Sequence, residues 1–215
     1  MATDLVEINP ETPQRDALER AANAVRRGQV VAIPTDALYT LVADPFNLGA
    51  VTRVFRAKGR EMHRSLPLLV GDVVMAEELA GELSNRFYIL ARHFWPGPLT
   101  IIVRAASRLP LKVTANTGNV ALRIPSAKIP LAVVQAAGIP ITATSANLSG
   151  ESECTTAEAV RDQLQGRISI IVDGGVSPHE TASTIVDLTD EEARWRIMRE
   201  GAISAQDISE FFAQG

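Results

Sequence analysis

Residues 12–36 read TPQRDALERAANAVRRGQVVAIPTD, and this stretch decides the class of fold. Thr12-Pro13 places an N-cap ahead of a proline at the first helical position, where an N–H would have no helical partner anyway. Leu18, Ala21, Ala22 and Val25 then recur at helical spacing, and Gly28 ends the helix. Val30-Val31-Ala32-Ile33 is apolar without alternation, which reads as a buried strand, and Pro34 stops it. A helix feeding a buried strand that runs into the polar Pro34-Thr35-Asp36 is the pattern of an α/β domain.

Along the rest of the chain, helix and strand signals mostly alternate. Val51, Val54 and Phe55 suggest a helix running into a basic cluster, and 68–70 a strand. Leu83, Phe87, Leu90, Ala91 and Phe94 form a helical stripe broken by Pro96-Gly97-Pro98. Further strands are expected at 99–103, 120–124, 139–144, 168–172, 183–188 and 195–198. Helices fit at 131–137 and 156–164, and Ser204 with Asp207 resembles a capping box for a last helix. The expected fold is α/β of α+β type: one domain over residues 10–210, with a large twisted mixed sheet flanked by helices.

At 215 residues the chain fits one domain with a sizeable core. Its 46% hydrophobic and 21% charged residues exclude disordered, collagen-like and disulfide-scaffold classes. The single Cys154 excludes an internal disulfide and any multi-cysteine metal site, and fits a reducing compartment. His63, His93 and His179 are scattered, which argues against a zinc cluster. No apolar run reaches the length of a membrane span, and MATDLVEINPETPQRD is too polar for a signal peptide. A cytoplasmic protein with no membrane partner is expected.

The net charge of −4 does not read as a nucleic-acid binder. Within it, Arg53, Arg56, Lys58, Arg60 and Arg64 face one acid, Glu61. This cluster is either a solvated helix face or a concave basic site for a small anion such as a nucleotide. Several strands also end in polar clusters, where ligands of open α/β sheets bind. One is Ser145-Ala146-Asn147-Leu148-Ser149-Gly150 after strand 139–144, whose residues also suit a turn. Arg123 stands among Val120, Ala121, Leu122 and Ile124, so its guanidinium needs an anion, supplied by a structural carboxylate or by a ligand. There is no GxxxxGK[ST] loop, no GxGxxG after a strand and no GxSxG elbow. P-loop ATPases, dinucleotide oxidoreductases and standard hydrolases are thereby disfavoured.

Eight short motifs then occur in order. They are Pro34-Thr35-Asp36 with Tyr39, Lys58-Gly59-Arg60, Trp95 to Thr100, and Leu122-Arg123-Ile124-Pro125. Thr144 to Gly150, Asp173-Gly174-Gly175, Ser183 to Asp187 and Arg199-Glu200-Gly201 complete them. In order and spacing this resembles the YrdC/Sua5 family, over residues 10–210. The resemblance implies a YrdC-like fold and a nucleotidyltransferase: L-threonine, bicarbonate and ATP give L-threonylcarbamoyladenylate and pyrophosphate. The product would serve N6-threonylcarbamoyl modification of adenosine in tRNA, with tRNA or a downstream transferase complex as partner. The chain's length fits the single-domain form of the family, with no second domain.

The resemblance also implies roles. Lys58 and Arg60 would act catalytically on phosphates, and ATP would meet Lys58, Arg60, Arg64, Asn119, Ser145, Asn147 and Arg199. Threonine would meet Thr35, Ala37, Arg123 and Ser183. Mg²⁺ is expected with ATP, riding on phosphates and water rather than on a protein carboxylate cage. Two departures stand out. The family usually reads PTxTxYGLG, with its second Thr at the substrate, where this chain has Ala37, and Thr40 and Val42 replace both glycines. Leu69 stands where many relatives carry a His. The alternative is a YciO-like nucleotide- or RNA-binding paralogue with weak or altered synthase activity.

Overall fold

The computed structural model describes residues 2–59, 64–177, 182–190 and 195–213. Its strands divide between two mixed sheets. The first contains β1 (Asp4–Glu7), β2 (Val31–Ile33), β3 (Thr40–Val42), β8 (Thr144–Ser145) and β9 (Ile170–Asp173), in the order β1-β9-β2-β3-β8. The second contains β4 (Leu68–Leu69), β5 (Leu99–Arg104), β6 (Asn119–Arg123), β7 (Ile141–Thr142), β10 (Thr184–Asp187) and β11 (Arg196–Arg199), in the order β11-β10-β5-β6-β4-β7. The mixed sheet and flanking helices are as expected; the division has a local cause. The apolar run 139–144 is interrupted at Ala143, so β7 pairs with β4 in one sheet and β8 with β3 in the other. This segment joins the two layers.

Strand β2 is buried on both faces, as its unbroken apolar run requires. Val31 and Ile33 pack with Ala21 and Val25 of α1 (Arg15–Arg26) and Val133 of α6 (Lys128–Ala137). Ala32 faces the larger core, with α2 (Leu48–Lys58), α4 (Asn85–Phe94), α7 (Ala157–Leu164) and the inner side of the second sheet. On that inner side Leu99, Ile101, Leu122 and Leu68 are fully buried.

Helix ends follow side-chain chemistry. Asn47 accepts from Ala50 N (3.0 Å) to start α2, and Gly59 ends it at φ 60°. Thr156 accepts from Ala159 N (3.1 Å) before α7. Ser204 and Asp207 form the expected reciprocal box at the start of α8 (Ala205–Ala213), at 3.0 and 3.2 Å. The N-cap expected at Thr12 falls instead at Gln14, because Asn9 Oδ1 accepts from Glu11 N and Thr12 N and holds 9–12 as a turn. Strands β1 and β3 and the short helices α3 (Val73–Leu79) and α5 (Leu111–Thr114) add to the expected elements.

Candidate active site

A cavity of about 290 Å³ lies against both sheets. One wall follows from strand alternation in the second sheet. Leu122 and Ile101 are register partners facing the core, so Arg123 and Thr100, one step along each strand, face the other way. Ile185 pairs with Thr100 and Leu69 with Arg123, and all four line the cavity as one row across the sheet. The opposite wall comes from Thr40 and Ser145, register partners in the first sheet, and from Thr35, Ala37 and Leu38 in the preceding loop. Ala143 and Thr144, in the segment joining the sheets, close the gap between them.

Arg123 is held at two points. Its Nε donates to Gly97 O (2.8 Å) and its Nη2 pairs with Asp36 Oδ2, which also accepts from Ser126 Oγ (2.8 Å). Nη1 makes no hydrogen bond among the described residues, so one edge of the fork remains for a ligand. Gly97 allows this arrangement: a Cβ there would come within 2.3 Å of Phe94 O. Burial lowers the Arg123 guanidinium from its usual range; Asp36 opposes that shift and the charge of Arg199 adds to it. The guanidinium remains a cation. Asp36 Oδ1 is buried without a partner among the described residues.

Arg199 lines the cavity from β11. Its Nε and Nη2 donate to Ser183 O (3.1 and 2.8 Å), and Nη2 also to Ser183 Oγ (3.2 Å). The Ser183 and Thr100 hydroxyls bond each other at 2.9 Å. Two guanidiniums and a hydroxyl pair thus converge on one small space, an arrangement suited to carboxylate or phosphate oxygens. Glu153 is the carboxylate among the lining residues.

Lys58 has another position. It is 3% exposed, and its ammonium donates to Ser145 O, Asn147 O (3.0 Å) and Asn147 Oδ1 (3.0 Å). Ser145 Oγ donates to Asn147 Oδ1 (2.7 Å), and Ser149 N to Lys58 O (2.9 Å). Lys58 and Asn147 therefore fix the turn that presents Ser145 to the cavity, without lining it themselves. The expected basic pocket from 53–64 does not form among the described residues. Helical rotation turns Arg53 back to Gly28 O, leaves Arg56 exposed and buries Lys58. Arg64 is exposed beside Ser65, a lining residue, and Arg60 lies outside the described residues, as do His63 and His179.

Thr35, Ala37, Arg123, Ser183, Ser145 and Arg199 all line this one cavity. Asn119 does not: it lies at the far end of β6 from Arg123, where its Oδ1 accepts from Arg104 at 3.4 Å. Asp36, Thr100, Thr40 and Glu153 are further site residues. Asp36 could be anticipated as a carboxylate beside Thr35, but its pairing with Arg123 spans 87 positions. Thr100 could be anticipated from alternation beside Arg123. Cys154 is buried at the end of a Gln163 Nε2 contact (3.4 Å), and burial pushes its thiol up, as befits a packed residue.

A Bacillus subtilis protein named threonylcarbamoyl-AMP synthase is 36% identical over 203 residues, 94% of this chain and 57% of that protein. The structure of P. abyssi Sua5 complexed with L-threonine superposes with a TM-score of 0.92 at 32% identity, covering 97% of this chain and 61% of that one. E. coli YciO superposes at 0.85 and 25% identity, covering 95% of this chain and 98% of that one. The chain thus spans a little over half the length of the first two. Residues 23–201 match the Sua5/YciO/YrdC family model, described as "Telomere recombination". By that match over most of its length, the chain belongs to the Sua5/YciO/YrdC family.

Proposed function

We propose that the chain is an L-threonylcarbamoyladenylate synthase working in the cavity between Arg123 and Arg199. The observation that carries this reading is the open edge of Arg123, held by Asp36 and Gly97 in a small cavity shared with a second guanidinium. The similarity to proteins named threonylcarbamoyl-AMP synthase supplies the reaction. The threonine carboxylate pairs with Arg123. The amine attacks bicarbonate carbon, and loss of water leaves a carbamate. A carbamate oxygen then attacks the α-phosphorus of ATP, the bond to the β-phosphate oxygen breaks, and pyrophosphate leaves.

These steps need no protein nucleophile; holding three reactants in line and stabilising oxyanions supplies the rate. Arg199 and Ser145 serve the nucleotide, a role the motif resemblance extends to Arg60 and Arg64, while Lys58 and Asn147 position Ser145. No group of three or more His, Cys, Asp or Glu among the described residues could hold a metal ion, so Mg²⁺ would arrive on the phosphates with no protein ligand assigned. The product would pass to tRNA modification through a transferase partner. Ala37 and Leu69, the departures that suggested a YciO-like binding protein, line the cavity and leave it open.

The test is incubation with ATP, bicarbonate and L-threonine, scoring pyrophosphate and the adenylate by mass spectrometry. Product requiring all three is expected. Nucleotide binding with no adenylate under any amino acid would overturn the proposal.

A further inference from the structure

The hydroxyls around the cavity are not equally occupied. Thr35 Oγ1 is used fully: it donates to Leu38 O at 2.7 Å and accepts from Ala37 N and Leu38 N at 3.2 and 3.3 Å. Ser183 and Thr100 bond each other, and Arg199 donates to Ser183. Ser145 donates to Asn147. Thr144 has a partner of its own. Thr40 differs. Its hydroxyl has a single long contact, 3.4 Å to Leu38 O, an oxygen that also accepts from Thr35 at 2.7 Å. Yet Thr40 is 9% exposed, and its backbone is fixed by pairing with Ile33 and Ser145. A nearly buried hydroxyl whose donor is only weakly engaged and whose oxygen accepts from no donor among the described residues, on a rigid strand, is suited to read a polar group on a ligand.

We propose that Thr40 is a specificity-determining residue: its hydroxyl recognises the side-chain hydroxyl of the amino acid whose carboxylate pairs with Arg123. This rests on the reading of the cavity as an amino-acid site. Ala37, on the same wall, offers only a methyl group there. The apolar share of the wall, including Leu38, Leu69 and Ile185, accepts a methyl group on the ligand but cannot reject an isostere lacking the hydroxyl. Thr40 supplies that rejection.

L-valine is the isostere of L-threonine without its hydroxyl, so the preference between the two isolates one hydrogen bond. Leaving a buried polar group unpaired changes such a preference about tenfold to a hundredfold. The experiment is calorimetric binding of both amino acids to wild type, Thr40→Val and Thr40→Ser, with pyrophosphate release measured beside it. Wild type is expected to prefer threonine by that factor. Thr40→Val should bind both equally, with valine affinity unchanged, while Thr40→Ser keeps the preference. If Thr40→Val binds neither, the Thr40→Ser ratio decides: a retained preference supports the role and a lost one removes it. An unchanged ratio in Thr40→Val, or no preference in wild type, overturns the proposal. Selective binding that depends on Thr40 without pyrophosphate release would remove the synthase reading and keep this one.

Discussion

Asp36 acts through Arg123 rather than on the substrate. Removing its charge leaves a guanidinium with one edge still on Gly97 and no counter-ion, and breaking such a buried pair costs about 3–5 kcal/mol. Asp36→Asn, which keeps shape and loses charge, is expected to raise KM for the amino acid at least tenfold with a smaller change in kcat. Asp36→Glu should recover part of it. Steady-state kinetics check this, and equal losses in both parameters for all three substrates would indicate general unfolding instead. Tyr39 is fixed by a different balance. Its phenol donates to Gly175 O at 2.7 Å, and burial, with the charge of Asp173, raises its ionisation above the ordinary range. A raised value means stability present below about pH 10 and lost as pH rises above it, when the unfolded phenol ionises and the folded one resists. Thermal melts of Tyr39→Phe should show a shallower alkaline decline than wild type. Arg123's need for an anion was legible from its apolar neighbours. That Asp36 supplies it was not, because no local pattern encodes a contact across 87 positions.

Most elements were legible at their own scale, since helical stripes and apolar runs carry their period in the sequence. The strand read at 30–33 appears as Val31–Ile33, and the box at Ser204 appears as read. The run 139–144 did not reveal its break at Ala143, because a short apolar strand looks the same whichever sheet each half joins. The helix α2 carried its charges legibly but not their destinations, and Lys58 turned inward to the 145–147 turn. Beyond β11, Gly201 has a strict role. A Cβ there would lie 1.9 Å from Ala182 O, while Gly201 N donates to Thr184 Oγ1 at 3.0 Å. This contact docks the segment after Arg199 against the strand start that carries Ser183. Gly201→Ala is expected to cost ~1–3 kcal/mol as overpacking against backbone. It should also weaken nucleotide binding by displacing Arg199. A denaturant midpoint equal to wild type would refute the close approach.

At the scale of the molecule, the cavity exists because alternation turns Thr100, Arg123, Leu69 and Ile185 away from the larger core, and a split strand brings the other sheet opposite them. The motifs named residues that line the cavity but did not show that Lys58 and Asn147 stand behind its wall. Nor did they foretell that Asn119 sits at the far end of β6. Among the described residues no helix is long and apolar enough to cross a membrane. Every role proposed for this cavity depends on its seating an amino acid by the carboxylate. A crystal structure of the protein with L-threonine tests it most directly. The carboxylate is expected within hydrogen-bonding distance of Arg123 Nη1, with the side chain toward Thr40. Threonine bound elsewhere, or its carboxylate turned away from Arg123 in this cavity, would rule this out.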